Sequence, residues 1–322
     1  MPAPSRETLQ RLAAETGHQP GTLEKVMRLL DLLQDIADDD LLRSCLALKG
    51  GTALNAFHLS LDRLSVDIDV NYIGTLDREA MLAERPAVEA ALGRILAAQG
   101  YRVRRQPAEH AGGKWLAVHP SALGGQGTLE VDVNFMMRQP LFGVTAMDSV
   151  VLGGQQATGV SVVDRHELAA GKLVALLDRR AGRDLFDARR LFGWEDLNWK
   201  WVRAGMLAFG ASGRNDWRRA SAAAIGADPR EVRQKLLMCL PRTAFADDAA
   251  LGAWVEETIA LCRAGAAPLL DHTRNEHAFL DGVLDRGEID ASLLDVEQEI
   301  QARIAAMPML NWKASHVRGH AT

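Results

Sequence analysis

The sequence predicts an α+β protein, with a mixed sheet in its N-terminal half and a helical C-terminal half. Three observations predict it. Residues 66–72 and 129–135 alternate strictly between apolar and polar side chains, as half-buried strands do. A glycine turn, Gly50-Gly51-Thr52, links a short apolar run (Leu46, Ala47, Leu48) to a helical pattern. From Asp164 onward, apolar residues recur at helical spacing almost to the end. Two domains are expected, residues 1–163 and residues 164–322.

Composition narrows the function classes. A chain of 322 residues with 48% hydrophobic content can bury one large core or two modest ones. A formal net charge of −5 excludes a generally basic nucleic-acid binder but leaves room for a local basic groove. The three cysteines, Cys45, Cys239 and Cys262, are scattered without metal-ligand spacing and read as free thiols of a reducing compartment. The opening MPAPSRETLQ has no apolar signal core, and no stretch is long enough to span a bilayer. A soluble cytoplasmic protein, with no membrane partner, is the expectation.

In order, residues 5–17 and 21–37 read as helices, with Asp38-Asp39-Asp40 as a solvated end. After the glycine turn, Leu54, Phe57 and Leu61 mark one side of a helix. Residues 78–99 form another, stopped by Gly100. Residues 101–105 and 114–119 alternate as strands, with turns at Gly112-Gly113 and around Gly124-Gly125. Residues 136–163 read as loop and short strand. Asp164 and Glu167 have the spacing of a capping box for the helix 166–179. Further helices are expected at 199–209, 216–224, 230–240, 248–264, 274–285 and 292–306. The tryptophans of Asn198-Trp199-Lys200-Trp201 read as helix-packing residues. The paired acidic strands are the only internal repeat.

The chemistry concentrates in residues 46–72. A glycine turn at a helix N-terminus leaves backbone N–H groups open in a positive dipole, so Gly50, Gly51 and Thr52 suit phosphate oxygens. On the strand after it, Val66, Ile68, Val70 and Tyr72 face the core while Asp67, Asp69 and Asn71 share the other face. Two carboxylates at i and i+2 repel unless a cation lies between them, and such oxygen ligands suit Mg²⁺. Residues 129–135 repeat the pattern, with Glu130, Asp132 and Asn134 outward. Should this strand lie beside the first, a third carboxylate, Asp132 or Glu130, completes a plausible two-metal site for phosphoryl displacement. Each motif alone is common, and their order and spacing carry the weight.

KGGTALN, RLSVDIDVNYIG, EVDVNF and HELAAGKLVALLDRRAGRDLFDARRLF, in this order, resemble the AbiEii/AbiGii toxin family. These are nucleotidyltransferase-fold proteins of toxin–antitoxin and phage-defence operons, and include the MenT-type toxins. The resemblance runs from about Leu48 to Phe192, and the tail MPMLNWKASHV looks like the family's C-terminal end. It implies a DNA-polymerase-β-like nucleotidyltransferase domain, followed by a helical domain that closes over the substrate. It places Gly50, Gly51 and Thr52 on the triphosphate motif and Asp67 and Asp69 on the acidic metal pair. Lys172 falls on the lysine of the Glu-x-x-x-x-Lys helix, as a phosphate contact or as an ion-pair partner of Asp184 or Asp187. Arg183, Asp184 and Asp187 fall on the Arg-Asp-x-x-Asp motif, with Asp187 orienting Lys172 and Asp184 capping the next helix. Asp132 is favoured over Glu130 as third ligand because it matches Asp69 in the paired pattern. The implied reaction is Mg²⁺-dependent transfer of a nucleoside monophosphate from an NTP to RNA, with the tRNA 3′ end as acceptor and a DNA-binding antitoxin as partner. Lys114, Trp115, Arg102, Arg104, Arg179, Arg180, Arg189 and Arg190 are candidates for an RNA groove, with Trp115 stacking a base. The alternatives are a nucleotidyltransferase acting on a protein or small-molecule hydroxyl, and a non-catalytic NTP-binding protein.

Overall fold

The computed structural model describes residues 4–106 and 112–320. Backbone contacts group the chain into two compact units. The first comprises Met1–Arg138, Gly143–Val163 and Leu237–Ala244; the second comprises Gln139–Phe142, Asp164–Leu236 and Phe245–Thr322. The chain therefore crosses between units more often than one boundary after residue 163 would allow.

The first unit begins with α1 (Arg6–Thr16), α2 (Pro20–Asp38) and α3 (Asp40–Cys45). The acidic run between the last two has a local task, because the Asp39 side chain accepts from the Leu42 N–H and caps α3. β1 (Leu46–Lys49) then leads into α4 (Gly50–Thr52), which passes directly into a π-helix over Ala53–His58. That wide turn closes with the Leu59 N–H donating to the Leu54 carbonyl, so Leu61 falls in the following turn rather than on the helix. β2 (Asp67–Tyr72), α5 (Arg78–Ala98), β3 (Arg102–Gln106), β4 (Gly112–Pro120), β5 (Gln126–Asn134), β6 (Val144–Met147) and β7 (Val160–Val163) complete the unit. Gly112 and Gly113 open β4, and the turn before it lies outside the described residues.

The seven strands form one mixed sheet in the order β3-β4-β5-β2-β1-β7-β6. β2 pairs with β5, and β1 with β7, in parallel; the other neighbours are antiparallel. α2 packs against β5 and β7, and α5 against α2 and β3. The alternation explains the core: Ile68, Val70, Leu129, Val131 and Val133 are buried, and Phe135 continues the buried series beyond β5. Trp115 belongs to the same buried set at 3% exposure, so it is not presented for stacking on a base.

The second unit is helical: α6 (Arg165–Arg179), α7 (Gly182–Phe192), α8 (Trp199–Ser212), α9 (Pro229–Glu231), α10 (Asp248–Leu270), α11 (Arg274–Asp281), α12 (Gln298–Ala305) and α13 (Pro308–His320). Three of the expected helices are broken; within residues 292–306 only α12 is α-helical, behind a 3₁₀ turn at Ala291–Leu293. Residues 216–224 form two short 3₁₀ turns, and residues 230–240 pass through α, π and 3₁₀ geometry within eleven positions. The capping box at Asp164 does not form. Asp164 accepts from the His166 N–H, but Glu167 takes the Leu141 N–H instead, closing a contact between distant segments. Trp199 stacks on Phe192 and Trp201 on Phe142, as helix-packing residues do.

The described helices include none long and apolar enough to cross a membrane. All three cysteines are free and buried, and burial pushes the Cys45 and Cys262 thiols up to about 12, so neither is an activated nucleophile.

One buried carboxylate in the first unit makes stability pH-dependent. Asp31 on α2 is 6% exposed; its Oδ2 accepts from Gln155, while its own Oδ1 and the Gln155 Oε1 find no hydrogen-bond partner. Burial pushes its pKa up to about 6. Between the ordinary carboxylate value and that pKa, the folded state holds a proton that the unfolded state has lost, so stability falls as pH rises through this window. Asp31→Asn should remove the effect and stabilise the protein at pH 7 by about 1–2 kcal/mol. Urea denaturation of both proteins at pH 4.5 and pH 7 checks this; an equal difference at the two values would contradict it.

Candidate active site

The acidic face is built by strand register. β2 and β5 run side by side so that Asp67 lies opposite Glu130, Asp69 opposite Asp132 and Asn71 opposite Asn134. Because side chains alternate with period two, all of these point to the face away from Ile68, Val70, Val131 and Val133. The conditional expectation of the sequence, that the two acidic strands lie together, is thus met in parallel and in the register that aligns their patterns.

The next strands on either side carry lysines into the same row. Lys114 of β4 pairs in register with Asp132, and Lys49 of β1 with Asp69. A row Lys114–Asp132–Asp69–Lys49 therefore crosses four adjacent strands. The Lys114 ammonium reaches diagonally to Glu130, at 2.6 Å with both side chains about two-fifths exposed. Its pKa is raised, chiefly by that hydrogen bond and further by the charges of Glu130, Asp132 and Asp67. Lys49 was not legible as a site residue, because antiparallel pairing with β2 is what brings it to Asp69.

The glycine turn abuts this face. Gly50 has φ +73°, and a Cβ added there would stand 2.6 Å from Asp69 Oδ2. Gly51 is crowded in the same way by Ser65 Oγ at 2.8 Å and Arg63 Nη2 at 3.0 Å. Thr52 Oγ1 donates to the Asp67 carbonyl at 2.6 Å, and buried Asn55 donates to the Gly51 carbonyl at 2.9 Å. The Thr52 bond fastens the turn to the acidic strand, and the Asn55 bond braces the turn itself. Arg63, at 1% exposure, donates to the Leu64 carbonyl and brings a buried guanidinium beside Gly51. No spacing rule singled out this arginine; its proximity follows from the chain folding back between the π-helix and β2.

The donor set suits a hard divalent cation. Asp67, Asp69 and Asp132 offer carboxylate oxygens from one face, and Mg²⁺ completes its shell with water and substrate phosphates rather than needing an all-protein cage. Among the described residues no three Asp, Glu, His or Cys side chains converge as metal ligands do.

The remaining motif residues lie in the helical unit. Lys172 of α6 contacts Asp184 at 3.0 Å and Asp187 at 2.9 Å, with Asp187 fully buried. Arg179 holds the other Asp184 oxygen at 2.8 Å. Burial alone would raise the Asp184 pKa, but Lys172 and Arg179 hold it below the ordinary carboxylate value. Asp184 is therefore a bridge between two cations and not the cap of α7; the Gly182 N–H at that helix start donates to Glu231. Arg183 approaches Glu231 at 4.0 Å. Of the candidate groove, Arg102 and Arg104 are exposed on β3, Arg189 is engaged by Glu257 and Thr258, and Arg180 takes a left-handed conformation that ends α6.

The mixed sheet, with its acidic row beside a glycine turn, has the architecture of a nucleotidyltransferase. MenT4, a nucleotidyltransferase toxin from Mycobacterium tuberculosis H37Rv, superposes with a TM-score of 0.57 at 17% identity over 94% of this chain and 99% of its own, which shows a shared fold. JHP933 from Helicobacter pylori matches at 0.46 and 17% identity over 77% and 91% of the two chains. No functionally curated protein matches the sequence. The profile of the AbiEii nucleotidyl transferase toxins of type IV toxin–antitoxin systems matches residues 31–254, and the chain belongs to that family.

Two substitutions test the geometry. Gly50→Ala forces a side chain into a left-handed position against the Asp69 carboxylate and should cost about 2–3 kcal/mol, read by chemical denaturation; a wild-type midpoint would contradict the close approach. Lys172→Met leaves Asp187 buried without its ammonium and should cost about 3–5 kcal/mol. Arg179→Ala, at the exposed end of the same network, should cost less than about 1 kcal/mol, and equal losses would refute the burial argument.

Proposed function

We propose that this chain transfers a nucleoside monophosphate from an NTP to an RNA hydroxyl, the tRNA 3′ end being the acceptor, and thereby blocks translation. The observation that carries the reading is the register that sets Asp69 opposite Asp132, with Gly50 packed on the Asp69 carboxylate. Membership of a nucleotidyltransferase toxin family supplies the reaction class. The RNA acceptor and a DNA-binding antitoxin rest on the sequence resemblance, and the cytoplasm is the compartment where both are met.

In this reading Asp67, Asp69 and Asp132 hold two Mg²⁺, which when bound stabilise charge on the transferring phosphoryl group and lower the pKa of the attacking hydroxyl. The glycine turn, Gly50 to Thr52, offers backbone N–H groups to the triphosphate. The acceptor oxygen forms a bond to the α-phosphorus, the bond from that phosphorus to the bridging oxygen breaks, and pyrophosphate leaves with the electron pair. The hydroxyl proton passes to the carboxylate row, where Asp132 is the most exposed member. Lys172 and Arg183 keep their family motif positions within the helical unit, where Asp184 and Asp187 hold Lys172 in place.

Incubation with each labelled NTP, Mg²⁺ and total cellular RNA, followed by separation of RNA from protein, tests the acceptor. Label should run in the tRNA size range. Label on protein would favour a protein-modifying enzyme, and NTP binding without any label a non-catalytic one. Within the site, Asp132→Asn should lower the rate about 10²–10⁴-fold, the range of lost general-base help, whereas Glu130→Gln should be mild because Glu130 is engaged by Lys114. The reverse ranking would transfer the ligand role to Glu130.

A further inference from the structure

The row Lys114–Asp132–Asp69–Lys49 contains as many ammonium groups as carboxylates. Directly opposed like charges on neighbouring strands are destabilising, so positive charge near Asp69 and Asp132 relieves a cost of the register that the buried face sets. Lys114 supplies it from the open side of the sheet. Its ammonium contacts Glu130 at 2.6 Å, one step along β5 from Asp132, and its side chain is 40% exposed. A divalent cation at the same carboxylates meets this ammonium as a like charge. A triphosphate arriving with the cation brings the negative charge that can take the ammonium over.

We propose that Lys114 couples cation binding to nucleotide binding: its ammonium weakens cation binding in the nucleotide-free protein and becomes a phosphate partner when the NTP arrives. This inference rests on the reading of Asp67, Asp69 and Asp132 as cation ligands. Lys114 stands on β4 with its side chain 40% exposed, so its ammonium has room to change partners.

The test is calorimetry on the whole protein, with no turnover required. Mn²⁺ is titrated into the nucleotide-free wild type, Lys114→Met, Lys114→Arg and Asp67→Ala, and a non-hydrolysable NTP analogue is titrated with Mn²⁺ present. Lys114→Met should bind Mn²⁺ about threefold to tenfold more tightly and the analogue about threefold to tenfold more weakly, the effect of one partly screened charge. Lys114→Arg should keep both affinities within about twofold of wild type, since the charge is retained. If Lys114→Met leaves either affinity unmoved, or weakens Mn²⁺ binding, the coupling is refuted while the cation site stands. If wild type shows no Mn²⁺ binding that Asp67→Ala removes, the cation reading itself fails, and the coupling with it.

Discussion

Parallel pairing of β2 with β5 in a single register is the constraint on which the site depends. Side chains alternate with period two, so a slip of one residue would send Asp132 into the core and bring Val131 or Val133 to the open face. The buried side enforces the register: Ile68, Val70, Val131 and Val133 are all at 2% exposure or less, and each would lose its burial in a slipped pairing. The hydrophobic half of the sheet thus fixes the positions of the charged half. Stability and chemistry use the same strands, on opposite faces.

Charge balance follows the same logic in both units. On the sheet, carboxylates brought together by register are bracketed by lysines from the next strands. In the helical unit, one lysine is held by two aspartates, and burial makes that arrangement costly to break from either side. The two cases differ in exposure. The Lys114–Glu130 pair is open to solvent and can exchange partners, while the Lys172–Asp187 pair is enclosed, with exposures of 10% and 0%. The first suits a role that changes with ligands and the second a fixed one.

Much of the acidic strand pair was legible in the sequence, because alternation states which residues share a face without any knowledge of neighbours. The fold class followed from the same patterns. What the sequence withheld was pairing. Nothing local says that β2 and β5 are neighbours in parallel, that Lys49 meets Asp69, or that Arg63 packs beside Gly51. Trp115 shows the opposite error: an aromatic beside basic residues suggested a stacking surface, but its place on β4 puts it on the core side. The helical unit was read in outline, and its misread segments are those where hydrogen bonding shifts among α, π and 3₁₀ patterns, which side-chain periodicity does not distinguish. The pairing of Lys172 with Asp184 or Asp187 is one of the readings the motif allows, and both pairs form; the capping reading of Asp184 fails because Lys172 and Arg179 determine its role.

The central claim is that the aligned carboxylates of β2 and β5 form a divalent-cation site. Anomalous diffraction from crystals soaked in Mn²⁺ tests it most directly. The account predicts an anomalous peak within coordination distance of Asp67, Asp69 and Asp132, lost in crystals of Asp67→Ala. No peak on that face, with Mn²⁺ bound elsewhere or nowhere, would contradict it.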